Sequence, residues 1–258
     1  AASSLLGGLG LWRTPVWALN APGQLHELSG SNFELFIDDK ARLESNQTIA
    51  KAADARYRLE RNGVVFYTTE VNEKEPLVKE VEVLFLHEES YTLRDKTPFV
   101  EEPTFVAAGT EIIQETFVEE SGFISIENLD TSQELLFYPG ARAYNFSDDE
   151  QNQVLVHEED IVKKNKVIGK RWNPETEQLE EVKAEIDGFV QILPVDESES
   201  VVVIRPFTKY KVKPIDKFFQ TRSDNEKIGL EPVTRMLHRK GDRVKAGSSL
   251  ARIELHFR

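Results

Sequence analysis

The sequence predicts an all-β protein built from small domains in tandem. Three features predict it. One turn-forming pattern occurs four times, glycine-led strands follow the first three copies, and no stretch holds a helical period over three turns.

The pattern is clearest in LHRKGDRVKAGSSLAR, Leu237 to Arg252, where Val244, Gly247 and Leu250 are the anchors. Leu155 to Gly169 repeats it with Val162, Asn165 and Ile168, and Asp160 falls where Asp242 stands. Phe99 to Ile113 repeats it with Val106, Gly109 and Ile112, and Phe36 to Ala50 with Leu43, Asn46 and Ile49. The upstream position is apolar each time: Leu237, Leu155, Phe99 and Phe36. Glycine and asparagine most readily accept positive φ, so Asn46, Gly109, Asn165 and Gly247 are expected to be left-handed. Each copy then makes the same tight turn, with one strand entering at the upstream apolar residue and another leaving past the last anchor.

After three copies a glycine opens an apolar run: Gly63 in NGVVFYTTEV, Gly122 in SGFISI and Gly188 in DGFVQILPV. The fourth copy lies too near the end of the sequence to show one. Runs such as EVEVLFL, Glu80 to Leu86, and VVVIRPF, Val201 to Phe207, have the β-branched and aromatic content of strands. The nearest approach to a helix is the weak PIDKFFQ, Pro214 to Gln220. Uneven spacing of the copies argues against a solenoid, which keeps a fixed period. Separate domains are expected instead, at 1–78, 79–140, 141–203 and 204–258, the last one incomplete.

Composition narrows the function classes. There is no cysteine, so neither a disulfide framework nor a thiolate metal site can form, and a reducing compartment is the natural setting. No apolar run approaches the ~20 residues that span a bilayer. The opening AASSLLGGLGLW has no basic segment before it and is a poor signal peptide, and the chain reads as a piece of something longer. Net charge is −13, which argues against a simple nucleic-acid-binding module. From Val203 onward there are 14 Lys/Arg against 6 Asp/Glu, while the preceding residues carry 18 against 39. Such asymmetry marks either two differently used surfaces or two solvated faces of opposite sign.

The pattern, with its Gly/Glu-Asp, its Gly/Asn and the glycine-led strand, resembles the barrel-sandwich hybrid fold. Biotinyl and lipoyl carrier domains, membrane-fusion adaptors and the largest-subunit family of multisubunit RNA polymerases use that fold. Four copies across nearly the whole chain look most like the insertion in the second piece of the split beta-prime subunit of cyanobacteria and plastids. In that family the insertion interrupts the trigger loop, which closes over the incoming nucleotide. The resemblance implies tandem barrel-sandwich hybrid domains forming an elongated arm of DNA-directed RNA polymerase, a nucleotidyltransferase engaged in transcription. It implies an accessory segment, not itself catalytic, that modulates trigger-loop movement, pausing or initiation by touching other polymerase subunits or a sigma factor. The location implied is the cytoplasm of a cyanobacterium, or a plastid. Zinc and magnesium belong, on this resemblance, to parts of the parent enzyme outside this chain. A carrier or adaptor protein on the same fold is the alternative.

Few residues invite a chemical role. Lys40 in DDKA has the flavour of a carrier lysine, yet it lies inside the first copy rather than on the later hairpin that carriers use. Asp148, Asp149 and Glu150 lie in the polar stretch FSDDEQNQ and read as a solvated loop. His26, His87, His157, His238 and His256 show no ligand spacing, and GGLG at Gly7 has no Lys-Ser/Thr after it. No catalytic, cofactor-binding or metal residue is therefore assigned. One contact patch is: Lys209, Lys211, Lys213, Arg239, Lys240 and Arg243, expected to meet another subunit or, weakly, DNA. The competing expectation is that these side chains are separately solvated.

Overall fold

The computed structural model describes residues 34–35, 44–100, 103–147, 151–195, 199–215, 219–223 and 226–257. It is all-β with several small sheets, and among the described residues the helical content is a 3-10 turn at Ala55–Tyr57. The segment that came nearest to a helical period leads instead into the strand Phe219–Ser223.

All four turn residues are left-handed: φ is 64° at Asn46, 83° at Gly109, 72° at Asn165 and 87° at Gly247. The turns share their hydrogen bonds too. The next residue's N–H closes a four-residue turn onto Glu44, Ala107, Lys163 or Lys245, at 3.0–3.2 Å. Positive φ at the third position of such a turn is the type II geometry, which explains the glycine/asparagine column. The left-handed residue's own N–H donates outward, to the carbonyls of Phe257, Val118, Ala184 and Leu59 respectively. A second left-handed position lies further upstream in two copies, at Gly241 (φ 91°) and Glu159 (φ 69°). There the following Asp closes the turn, its side chain accepting from Arg239 N–H or His157 N–H at 2.8 Å.

One pairing rule places the glycine-led strands. Val106 registers opposite Gly122, Val162 opposite Gly188, and Val244 opposite Gly63. The fourth copy thus has a glycine strand after all, and it is the one that follows the first copy. Reciprocally, the first copy's turn docks on the strand after the fourth, with Asn46 N–H donating to Phe257 O and Thr48 opposite His256. First and fourth copies are therefore exchanged with each other. The consecutive blocks 1–78 and 204–258 expected from the sequence are replaced by a unit assembled from both ends, and the chain divides into Ala1–Leu84 with Lys209–Arg258, and Phe85–Thr208.

In the first unit, a five-stranded sheet runs Glu34–Leu35, Thr48–Ala53, Ala251–Phe257, Glu226–Met236, Phe219–Ser223. A four-stranded sheet runs Phe207–Val212, Val81–His87, Gly63–Tyr67, Arg243–Val244. Ile49, Val65, Val83, Val212, Val244, Leu250 and Ile253 are buried there.

The second unit holds the second and third copies, each with its own core. Leu93, Val106, Ile112, Ile124, Leu135 and Phe137 form one, and Tyr144, Val162, Ile168, Val190, Val202 and Ile204 the other. Between them the opposite faces of the same strands pack together: Phe123, Leu136 and Tyr138 against Val201 and Val203. Strands buried on both faces read as unbroken apolar runs, which is why VVVI shows no alternation. The upstream column behaves otherwise than expected. Phe99 and Leu155 are exposed: Phe99 meets its neighbour through the bond of its N–H to Ile112 O, and Leu155, just past the short strand Gln153–Val154, donates its N–H to Ile168 O.

Candidate interaction surface

The six basic residues of the expected contact patch all belong to the first unit, but they form two groups. Lys209 and Lys211 project from the same face of the strand Phe207–Val212, with Lys213 just beyond its end. Arg239, Lys240 and Arg243 belong to the turn before and the start of the strand Arg243–Val244. These two strands are the opposite edges of the four-stranded sheet, three strand spacings or roughly 14 Å apart.

Acidic neighbours face both groups. Lys209 Nζ is 3.3 Å from Glu82, while Lys211 and Lys213 reach Glu80 at 3.8 and 3.1 Å. Arg239 Nε pairs with Glu73, and Lys240 Nζ stands 4.4 Å from the centroid of the Phe66 ring. Exposed pairs of this kind contribute about 0–1 kcal/mol each and are screened by salt, so they fix side-chain direction more than stability. Their effect on recognition is larger, since a phosphate must compete with a carboxylate already in place. Sequence reading missed these partners because Glu73, Glu80 and Glu82 lie far from Arg239 and the lysines along the chain, and only the fold joins them.

An open groove of about 950 Å³ adjoins the second group, lined by Tyr67, Asn72, Glu73, Lys74, Arg239 and Lys240 among others. The Tyr67 hydroxyl donates to His238 O at 2.8 Å, and burial, with the charges of Asp242 and Glu73, pushes its pKa up. The groove mixes both signs of charge and does not define an anion site.

A buried ionic cluster sits on the five-stranded sheet. Glu254, 3% exposed, accepts from Arg235 and Arg252 at 3.0 and 2.9 Å and contacts His256 Nε2 at 3.0 Å. Burial acts to raise the pKa of its carboxyl, but the bonds from His256 and Arg235 and the two guanidinium charges outweigh it and hold the value below the usual range. Arg252, Glu254 and His256 alternate along one strand, a face legible in ARIELHF, whereas Arg235 comes from the neighbouring strand. In the second unit Arg205 pairs with Glu88 at 3.3 Å, both nearly fully buried, and its guanidinium lies 3.9 Å from the Tyr138 ring centroid.

Lys40 and the Asp148–Glu150 run lie outside the described residues. Among the described residues no group of three His, Asp or Glu side chains is arranged to hold a metal ion, and no helix is long and apolar enough to cross a membrane.

No protein-family model matches the chain. Over 230 residues, 84% of its length, it is 26% identical to the DNA-directed RNA polymerase subunit beta'' of Rhodomonas salina, of which it spans 17%. Over 39 residues, 15% of its length, it is 62% identical to a copper resistance protein A homolog of Pseudomonas syringae pv. tomato. A copper resistance protein A of the same organism is 51% identical over 39 residues. The chain spans only 7% and 6% of those two proteins.

Proposed function

We propose that this chain is an accessory insertion of a multisubunit RNA polymerase, one that tunes trigger-loop movement, pausing or initiation and carries no part of the chemistry. The observation that carries the reading is the similarity to a beta'' subunit along 84% of the chain. The fourfold turn and its shared hydrogen bonds agree with the repeated domains that such an insertion has in the resemblance drawn above. The 39-residue matches cover too little of either chain to carry a function.

Contacts are made with other polymerase subunits or a sigma factor, and the zinc and magnesium of the parent enzyme lie elsewhere in it. DNA is a weak ligand of the isolated chain. The net charge of −13 and the Glu73, Glu80 and Glu82 pairings leave only non-specific affinity, ~10⁻⁴ to 10⁻⁶ M at physiological salt.

The test is polymerase lacking this segment. Single-nucleotide addition should persist while pausing, initiation or release changes. Complete loss of nucleotide addition would overturn the accessory role. Failure of the segment to co-purify with polymerase, or a mass increase at Lys40 on treatment with biotin or lipoate ligase, would transfer it to the carrier reading.

A further inference from the structure

Most of the net negative charge lies in one of the two units. Residues 85–208 carry 10 Lys/Arg against 27 Asp/Glu, while the other unit carries 22 against 18. Within 85–140 the imbalance is greatest: 12 acidic residues against Arg94 and Lys96 alone. The same stretch holds the exposed aromatic rings. Among the described residues the phenylalanines counted as exposed are Phe99 (59%), Phe105 (48%) and Phe117 (59%), all three in this repeat.

Their placement follows from the hairpin Glu111–Ile113 with Thr116–Phe117. Phe117 registers opposite Glu111, and Phe99 is bonded through Ile112 to the other side of the Glu111–Ile113 strand. The backbone at Phe99 and the backbone at Phe117 thus flank that strand, two spacings or about 10 Å apart. Glu119 follows Phe117 at the period of a strand face, and Glu111 is held over the hairpin by the N–H of Glu115 at 2.8 Å. Phe105 already shows what such a ring accepts: the guanidinium of Arg142 stands 5.9 Å from its centroid.

We propose that this repeat is a docking surface for a basic segment of another protein, one combining Lys or Arg with apolar side chains. Phenylalanine on an acidic surface is costly to leave in water and suits a partner that brings both cations and hydrophobes. Nucleic acid is disfavoured because the repeat carries twelve acidic residues, only Glu88 of the described ones buried, against two basic ones. The inference stands independently of the polymerase reading.

The experiment titrates the full chain with three probes at ~150 mM salt: a peptide alternating Arg and Leu, one of equal charge alternating Lys and Ser, and duplex DNA. The Arg-Leu peptide should bind tightest. F99S/F105S/F117S should weaken it tenfold or more and leave the Lys-Ser peptide unchanged, whereas E111Q/E119Q/E120Q should weaken both. The substituted side chains are exposed apart from half-buried Glu111, so circular dichroism should match the parent, and F99L/F105L/F117L should retain most of the affinity. Equal binding of the two peptides, no loss in the serine variant, preference for DNA, or self-association abolished by the serine variant would each overturn the proposal.

Discussion

At Gly109 φ is +83° and a Cβ would meet no atom within 4 Å, so a substitution there costs backbone strain alone. Gly109→Val should destabilise its unit by roughly 1–3 kcal/mol, while Gly109→Asn should recover most of that, since Asn46 and Asn165 fill the same position. Gly188 differs. Its Cβ would lie 2.6 Å from Ile204 Cγ2 and 2.7 Å from Arg205 O, so even Gly188→Ala should cost roughly 1–3 kcal/mol and Asn should not rescue it. Urea midpoints of the four variants check both statements. The first requirement was legible in the sequence because a left-handed turn is a local matter, written in the residue that makes it. The second was visible only as a glycine of unexplained purpose, because the atoms it avoids belong to the paired strand Ser200–Arg205, whose register the sequence does not state. Glu159, left-handed like Gly241, carries no such mark, and its φ could not be read from its residue type. Glu254 gives the pH dependence. Its folded pKa is depressed, so its stabilisation is present above the unfolded value of about 4.3 and fades as pH falls through the lower folded value. Glu254→Gln should cost about 2 kcal/mol at pH 7 and flatten the loss of stability below pH ~4.5, read from denaturant midpoints across pH.

Strand Ser200–Arg205 shows how an element serves two cores at once. Val202 and Ile204 face one repeat's interior while Val201 and Val203 face the layer between repeats, and Arg205 ends the strand over Tyr138 with its Nε unpaired. The apolar run announced a buried strand, but neither its two destinations nor the charge at its end could be foreseen. The partner, Glu88, is 117 residues away. Removing one member leaves a buried charge uncompensated, so Arg205→Met should destabilise by roughly 3–5 kcal/mol. The double variant with Glu88→Met should return most of that. A double-mutant cycle by chemical denaturation decides it: additive losses would mean the two residues act separately. The strand Phe207–Val212 is the contrasting case, since its lysines alternate in sequence as an outward face should. That they form a face was legible; that Glu80 and Glu82 answer them was not, because strand order was needed.

At the scale of the whole chain, the exchange between first and fourth copies decides which fragments fold. Counting four copies in sequence led to four consecutive domains, a natural reading when each of the first three copies is followed by a glycine strand. Turn chemistry is indifferent to which strand of the right shape it docks on, so linear order could not reveal that Gly63 serves Val244. The consequence is specific. Residues 85–208 contain both partners of every turn bond they use, Gly109 to Val118 and Asn165 to Ala184, and both glycine pairings. Expressed alone, that fragment should unfold cooperatively in urea with a β-type circular dichroism spectrum. Residues 1–84 alone lack the carbonyl of Phe257 for Asn46, the strand Ala251–Phe257 for Thr48–Ala53, and the strand Arg243–Val244 for Gly63–Tyr67. With those pairings gone, its strands expose edges and half a core, and the fragment should be unstructured or aggregated. Adding residues 209–258 in trans should restore β structure, because every missing partner is in that piece. Dispersed amide resonances from 1–84 by itself, or no gain on mixing, would show that the two copies do not depend on each other.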